Sequence, residues 1–117
     1  MIQLARQQSH ELETFQSNAE HELIGQVQTS KVRGIDFIVL NPGGLAYTSI
    51  ALRDSFAAAE VPFIEVHLSN IFAREGFRSH SHFSGIAVGT ICGLGAGVYE
   101  LALRHIFKIL AKKEARP

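Results

Sequence analysis

Val61-Pro62-Phe63-Ile64-Glu65-Val66-His67-Leu68-Ser69-Asn70 decides the fold, because an apolar, β-branched run of strand length gives way there to polar groups. Side chains of a strand alternate between its two faces. Phe63, Glu65 and His67 therefore share one face, and Ile64 and Val66 share the other. The carboxylate of Glu65 and the imidazole of His67 point the same way, about 7 Å apart along the strand, and the pair can do acid–base chemistry. The same residues also suit a strand end whose polar side chains meet solvent or cap the next turn.

A second stretch of the same design lies upstream. Ile35-Asp36-Phe37-Ile38-Val39-Leu40 is a short apolar run that stops at Asn41-Pro42-Gly43-Gly44. In open α/β sheets, ligands sit outside the carboxyl ends of parallel strands, near the point where strand order reverses. Asn41 and His67 are thus candidates to face one pocket.

The bulk numbers bound the possibilities. A chain of 117 residues is expected to form one domain, spanning residues 1–117, with one core. Eleven basic and eleven acidic side chains leave no net charge, so there is no electrostatic footprint for nucleic acid or an anionic membrane. Small molecules or other proteins are the expected partners. The single cysteine, Cys92, lies in an apolar run and has no internal disulfide partner, which fits a reducing compartment; it reads as a buried small hydrophobe. Met1 to Gln8 lacks the apolar core of a secretory signal. Gly85 to Val98 is too short and too rich in glycine for a spanning helix. The expected location is the cytoplasm.

Along the chain, residues 1–8 read as the end of a helix, and His10 to Gln16 alternates as a half-buried strand does. Ser17 or Asn18 suits the N-cap of a helix carrying Leu23, Ile24 and Val27 on one stripe, and Gly34 suits a helix stop. The next helix is expected to open near Thr48-Ser49, with Ile50, Ala51, Leu52, Phe56 and Ala59 turned inward. After the strand at 61–67, residues 71–77 read as a short helix or loop, residues 84–93 as the last strand, and residues 97–112 as the last helix, with Lys108, Lys112 and Lys113 suiting its C-terminal end. Strands alternating with helices imply a mostly parallel sheet covered on both faces.

Two further motifs are weaker. Gly93-Leu94-Gly95-Ala96-Gly97 follows a strand and precedes a helix, but its spacing is not that of a dinucleotide-binding turn and no partner acid follows. Close approach to a neighbouring strand or subunit explains it better. His80-Ser81-His82 offers two imidazoles without the further ligands of a four-coordinate metal site, and reads as a solvated loop. Arg78 can grip a carboxylate with its planar fork.

Taken together, Asn41-Pro42-Gly43-Gly44, Thr48 to Asp54, Ile64 to Asn70, Ala73-Arg74-Glu75 and Phe77-Arg78 resemble the type II 3-dehydroquinate dehydratases of the shikimate pathway. Gln16-Ser17-Asn18 and Gly93-Leu94-Gly95 match as well, and the resemblance runs in order from about Leu12 to Phe107. It implies an α/β, flavodoxin-like parallel sheet with helices on both faces, and assembly as trimers and usually as a dodecamer. The implied reaction removes water from 3-dehydroquinate to give 3-dehydroshikimate, with no metal and no organic cofactor. A tyrosine on a loop, activated by an arginine, takes a proton next to the ketone to form an enolate. The residue matching His67 protonates the departing hydroxyl, and that matching Glu65 holds the histidine in its working state. Asn41 matches a residue that contacts the substrate and places a water at the enolate. The amides of Leu68 and Ser69, with Arg78, match groups that bind substrate hydroxyl and carboxylate. Asp54 matches an acid that reaches across a subunit boundary.

The sequence departs from the family pattern in two places. Tyr47 stands where the family usually has a histidine that contacts a substrate hydroxyl, and its phenol offers a single polar group. The family's first strand, and the loop carrying its base tyrosine and activating arginine, have no match ahead of the helix at residues 1–8. In the order 2-1-3-4-5 that strand is central and pairs on both sides. A compact fold from this chain alone therefore calls for a rearranged sheet, a strand donated by a neighbour, or a start upstream of Met1. Neither Tyr47 nor Tyr99 matches the base. The reading of a different class is a non-catalytic relative that serves as a ligand-binding or assembly subunit.

Overall fold

The computed structural model describes residues 1–115. Three parallel strands, β1 (Ile38–Leu40), β2 (Phe63–His67) and β3 (Gly89–Cys92), lie side by side in chain order. Leu40 stands beside Glu65, and Glu65 beside Thr90, so β2 is paired on both edges and carries the site at the middle of the sheet. Parallel neighbours need a crossover. Helices α3 (Leu45–Thr48) and α4 (Ile50–Ala59) lead from β1 to β2, and two short 3₁₀ turns, Ile71–Ala73 and Gly76–Arg78, open the connection to β3.

The alternation of β2 sorts the core into two layers. On one face Phe63 packs with Leu40, Phe83, Val27 of α2 (Glu20–Ser30) and Leu52 and Phe56 of α4. On the other face Ile64 and Val66 pack against Val98, Ala102 and Ile106 of α5 (Gly97–Ala115). Helix α1 (Ile2–Gln7) sits outside this second layer, where Ala5 joins Leu103 and Phe107. Helices thus cover both faces of a parallel sheet, the flavodoxin-like α/β arrangement.

Several expectations need correction. Residues 10–16 form no strand: a strand needs a ladder partner, and among the described residues none runs beside them. His10 stacks on Phe107 at 4.6 Å instead, and Leu12 packs against the α1–α5 cluster. The strand expected at 84–93 is confined to Gly89–Cys92, because Phe83 to Ala87 is folded into a turn by the amides of Ile86 and Ala87 bonding the Phe83 carbonyl. The N-cap of α2 is Ala19, and Ser17 acts one step earlier by accepting from the Ala19 amide and donating to Glu22. Ile50 and Ala51 face outward, whereas Leu52 and Phe56 are buried as expected and Ser55 joins them. Elsewhere the local signals act as read. Gly34 turns the chain out of α2 at φ 78°, and the Ser49 hydroxyl caps α4 by accepting from the Leu52 amide.

Candidate active site

Glu65 and His67 leave β2 on the same face and meet: Nε2 of His67 lies 2.6 Å from Oε2 of Glu65. Both are out of solvent, with Glu65 0% and His67 4% exposed. A bare carboxylate in such a place is costly. Here it is surrounded by donors. The Ser81 hydroxyl donates to Oε2 at 2.5 Å, while those of Ser84 and Thr90 donate to Oε1 at 2.7 and 3.3 Å. Burial pushes the Glu65 carboxyl up, but the hydrogen bonds from His67, Ser81 and Ser84 and the charge of His67 outweigh it and hold the group below its ordinary value. Glu65 is therefore an ionised acceptor at neutral pH, and His67 is the member of the pair able to exchange a proton.

The glycine turn that follows β3 orients the backbone beyond His67. The amide of Gly93 donates to the carbonyls of His67 and Ser69 at 3.0 and 3.1 Å, and that of Gly95 to the carbonyl of Leu68 at 3.0 Å. In a planar trans peptide the carbonyl and the following N–H point in opposite directions. With the carbonyls of His67 and Leu68 held on the turn, the amides of Leu68 and Ser69 are turned away from it. Close approach to a neighbouring strand is thus the role of this turn. Gly93 and Gly95 are glycine because their φ angles, 84° and 59°, are left-handed; Leu94 between them is at 67° and is 75% exposed.

The other candidates divide into groups. Asn41 ends β1 and is closed into its turn, Oδ1 accepting from the Gly43 amide, while Nδ2 donates to the Tyr99 hydroxyl at 2.8 Å. Tyr47 in α3 meets the Phe77 ring edge-on at 5.9 Å, and Arg78 lies 5.1 Å over the same ring. The structure thus gathers Tyr47 and Arg78 around Phe77, with the Arg78 guanidinium half exposed and 3.9 Å from Glu75. Ser69 is drawn toward Arg74, which donates to its hydroxyl. Asp54 stands apart, exposed on α4 with Arg53 as its ion-pair partner.

Residues absent from the sequence-based set carry much of the geometry. Ser81, Ser84 and Thr90 hold Glu65, and Tyr99 holds Asn41. The segment around Ser81 is not a solvated loop: Ser81 is buried, Phe83 is fully buried, and the His82 amide ties the segment to the Ala46 carbonyl. Thr90 is set directly beside Glu65 by the parallel register, a pairing that only the fold reveals. Cys92, in register with His67, is half-buried, its thiol pushed up by burial and by the charge of Glu65. Among the described residues no cluster of three or more His, Cys, Asp or Glu side chains is placed to hold a metal ion.

Comparison with known proteins sets this geometry in a family. The model of the family described as dehydroquinase class II matches residues 1–107. The chain is 51% identical over 113 residues to a 3-dehydroquinate dehydratase of Hahella chejuensis, covering 97% of this chain and 77% of that protein. It is 59% identical over 104 residues to one of Nitrosomonas eutropha, covering 89% of this chain and 72% of the relative. The crystal structure of a type II dehydroquinase from Propionibacterium acnes superposes with a TM-score of 0.85 at 36% identity, covering 92% of this chain and 73% of that one. The chain belongs to the class II dehydroquinase family.

Proposed function

We propose that this chain acts as a type II 3-dehydroquinate dehydratase, a hydro-lyase of the shikimate pathway that converts 3-dehydroquinate to 3-dehydroshikimate. The observation that carries the reading is the buried pair of Glu65 and His67, 2.6 Å apart at the carboxyl end of the central strand. The residues described supply the second half of the reaction. An enolate expels its hydroxyl poorly unless that oxygen is protonated as the C–O bond breaks. His67 is the general acid for this step, and the ionised Glu65 holds its ring. No cofactor or metal is assigned.

Binding is assigned around the pair. The Leu68 and Ser69 amides, turned away from the glycine turn, meet a substrate hydroxyl or carboxylate oxygen. Arg78 binds the carboxylate by releasing Glu75, a weak partner at 3.9 Å between exposed groups. Asn41 retains a second Nδ2 proton for a substrate or water. Tyr47 faces a substrate hydroxyl. Asp54, exposed on α4, serves a neighbouring subunit's site in a trimer-based dodecamer. The exposed Phe72, Phe77 and Leu94 near the site are apolar surface of the kind such an assembly covers. The reading includes one domain over residues 1–117 and a cytoplasmic location. No described helix is long and apolar enough to cross a membrane.

The test mixes purified protein with 3-dehydroquinate and follows the ultraviolet absorbance of the conjugated enone produced. A rise that His67→Ala removes is expected. Absence of a rise from folded protein, or a rise unchanged by His67→Ala, overturns the assignment.

A further inference from the structure

A carboxylate has about four acceptor positions, and in Glu65 all four are filled. His67 and Ser81 take Oε2, while Ser84 and Thr90 take Oε1. The four donors come from three separate segments: β2 itself, the turn after Ser79, and β3. Such a cradle favours the anion, because a proton on either oxygen must displace one of these donors. It also decides which way the histidine works. An acceptor that stays ionised requires the facing nitrogen to keep its proton, so Nε2 of His67 stays protonated in both the neutral and the charged ring.

We propose that Ser81, Ser84 and Thr90 are positioning residues that keep Glu65 an anion while His67 works, lock the neutral His67 ring in its Nε2–H form, and leave Nδ1 as the nitrogen that exchanges the catalytic proton. The proposal rests on the dehydratase reading for the identity of the reaction and not for the state of the ring. In that reaction the Nδ1 proton passes to the departing hydroxyl oxygen as the C–O bond breaks. Its electron pair leaves with the oxygen as water, the enolate pair closes the new C=C bond, and the ring is left neutral with Nε2–H still on Glu65. Glu65 therefore orients the ring and balances its charge without relaying a proton.

The surroundings offer no rival for the Glu65 proton. Among the described residues, His67 is the titratable side chain hydrogen-bonded to it. Cys92 on β3 is the other titratable group that feels its charge. The remaining neighbours are neutral: Leu40 on β1 beside it, Thr90 on β3, and Ser81 and Ser84 in the turn. Helix α5 packs on the opposite face of β2 through Val98, Ala102 and Ile106.

Nitrogen-15 NMR of the histidine rings, followed through a pH titration of the unmodified protein, reads the lock directly. The His67 signals, assigned by their loss in His67→Ala, are expected to show Nε2 protonated throughout and Nδ1 alone losing its proton. A neutral ring with the proton on Nδ1 overturns the proposal. The cradle is tested separately by the carboxylic-acid infrared band of Glu65, identified by difference against Glu65→Gln. In Ser84→Ala/Thr90→Val, whose two positions are solvent-exposed, the band is expected to appear at a pH higher by about one unit or more, as two donors to the anion are lost. An unchanged onset removes these hydroxyls from the positioning role. Turnover of 3-dehydroquinate is scored apart. A locked Nε2–H in a folded protein without turnover refutes the dehydratase reading alone, whereas an Nδ1–H ring refutes the lock whatever the turnover.

Discussion

Ser81→Ala is the substitution whose cost can be worked most directly from the structure. Ser81 is 6% exposed, and its hydroxyl does two things at once, donating to Oε2 of Glu65 at 2.5 Å and accepting from the Phe83 amide at 3.1 Å. A hydrogen bond to a charged partner contributes about 1.5–3 kcal/mol, and a buried donor left unpaired costs about 1–3 kcal/mol. The two losses share one atom and some relaxation, so the expected sum is about 2–4 kcal/mol. That is a large part of a typical domain stability of roughly 5–15 kcal/mol. In urea, with a slope of about 1–3 kcal/mol per molar for a small protein, the unfolding midpoint is expected to fall by at least about 0.7 M. Ser79→Ala is the control, because its hydroxyl donates to the Gly76 carbonyl at 2.9 Å on exposed surface, and its cost is expected within about 0.5 kcal/mol. Equal midpoints for the two variants would refute the claim that the Glu65 cradle contributes to stability.

Glu65 has its carboxyl held below the ordinary value of 4.5 in the folded protein. Its stabilising contribution is therefore fully present above about pH 4.5 and is lost as pH falls through the folded value; thermal melts from pH 7 to 3 are expected to show a drop that Glu65→Gln reduces, and parallel curves would count against it. Arg78→Ala is expected to raise KM for 3-dehydroquinate about tenfold or more with a smaller change in kcat, as loss of a charged binding contact of roughly 1.5–3 kcal/mol implies; an unchanged KM would remove Arg78 from the binding set. Ser49→Ala deletes the cap of α4 and is expected to lower stability by about 1 kcal/mol in urea unfolding without altering KM, and a shift in KM at full stability would contradict a purely structural role.

Much of this arrangement was legible because it is written in local rules. The alternation from Val61 to His67 separates the two core layers residue by residue, as observed in the partners of Phe63 on one side and of Ile64 and Val66 on the other. Gly34 and Ser49 mark helix ends through backbone freedom and a hydroxyl acceptor, both properties of the residue itself. What escaped depends on distance along the chain. Ser81 lies 16 residues from Glu65, Ser84 19 and Thr90 25; between two histidines, or beside a glycine, a serine looks like loop polarity until the fold brings the carboxylate to it. Residues 10–16 erred in the other direction. Their alternation is real, but strand formation is decided by a neighbour to bond with, which a pattern within one segment cannot supply. Short α3 was hidden because Pro42-Gly43-Gly44 reads as a turn with no helix to follow.

The long separations in the Glu65 cradle bear on how the chain folds and changes. Closing contacts over 16, 19 and 25 residues requires β2, the turn after Ser79 and β3 to be in place together, whereas the helices need only nearby partners. A partly folded intermediate can hold helices yet lack a competent acid, so competence should return with the last phase of refolding. The same junction makes its members interdependent under mutation, since each hydroxyl's worth depends on how many others still hold the anion. Sequence drift at Ser81, Ser84 and Thr90 should therefore proceed in compensated steps, while the exposed face of α5 is free to vary one position at a time.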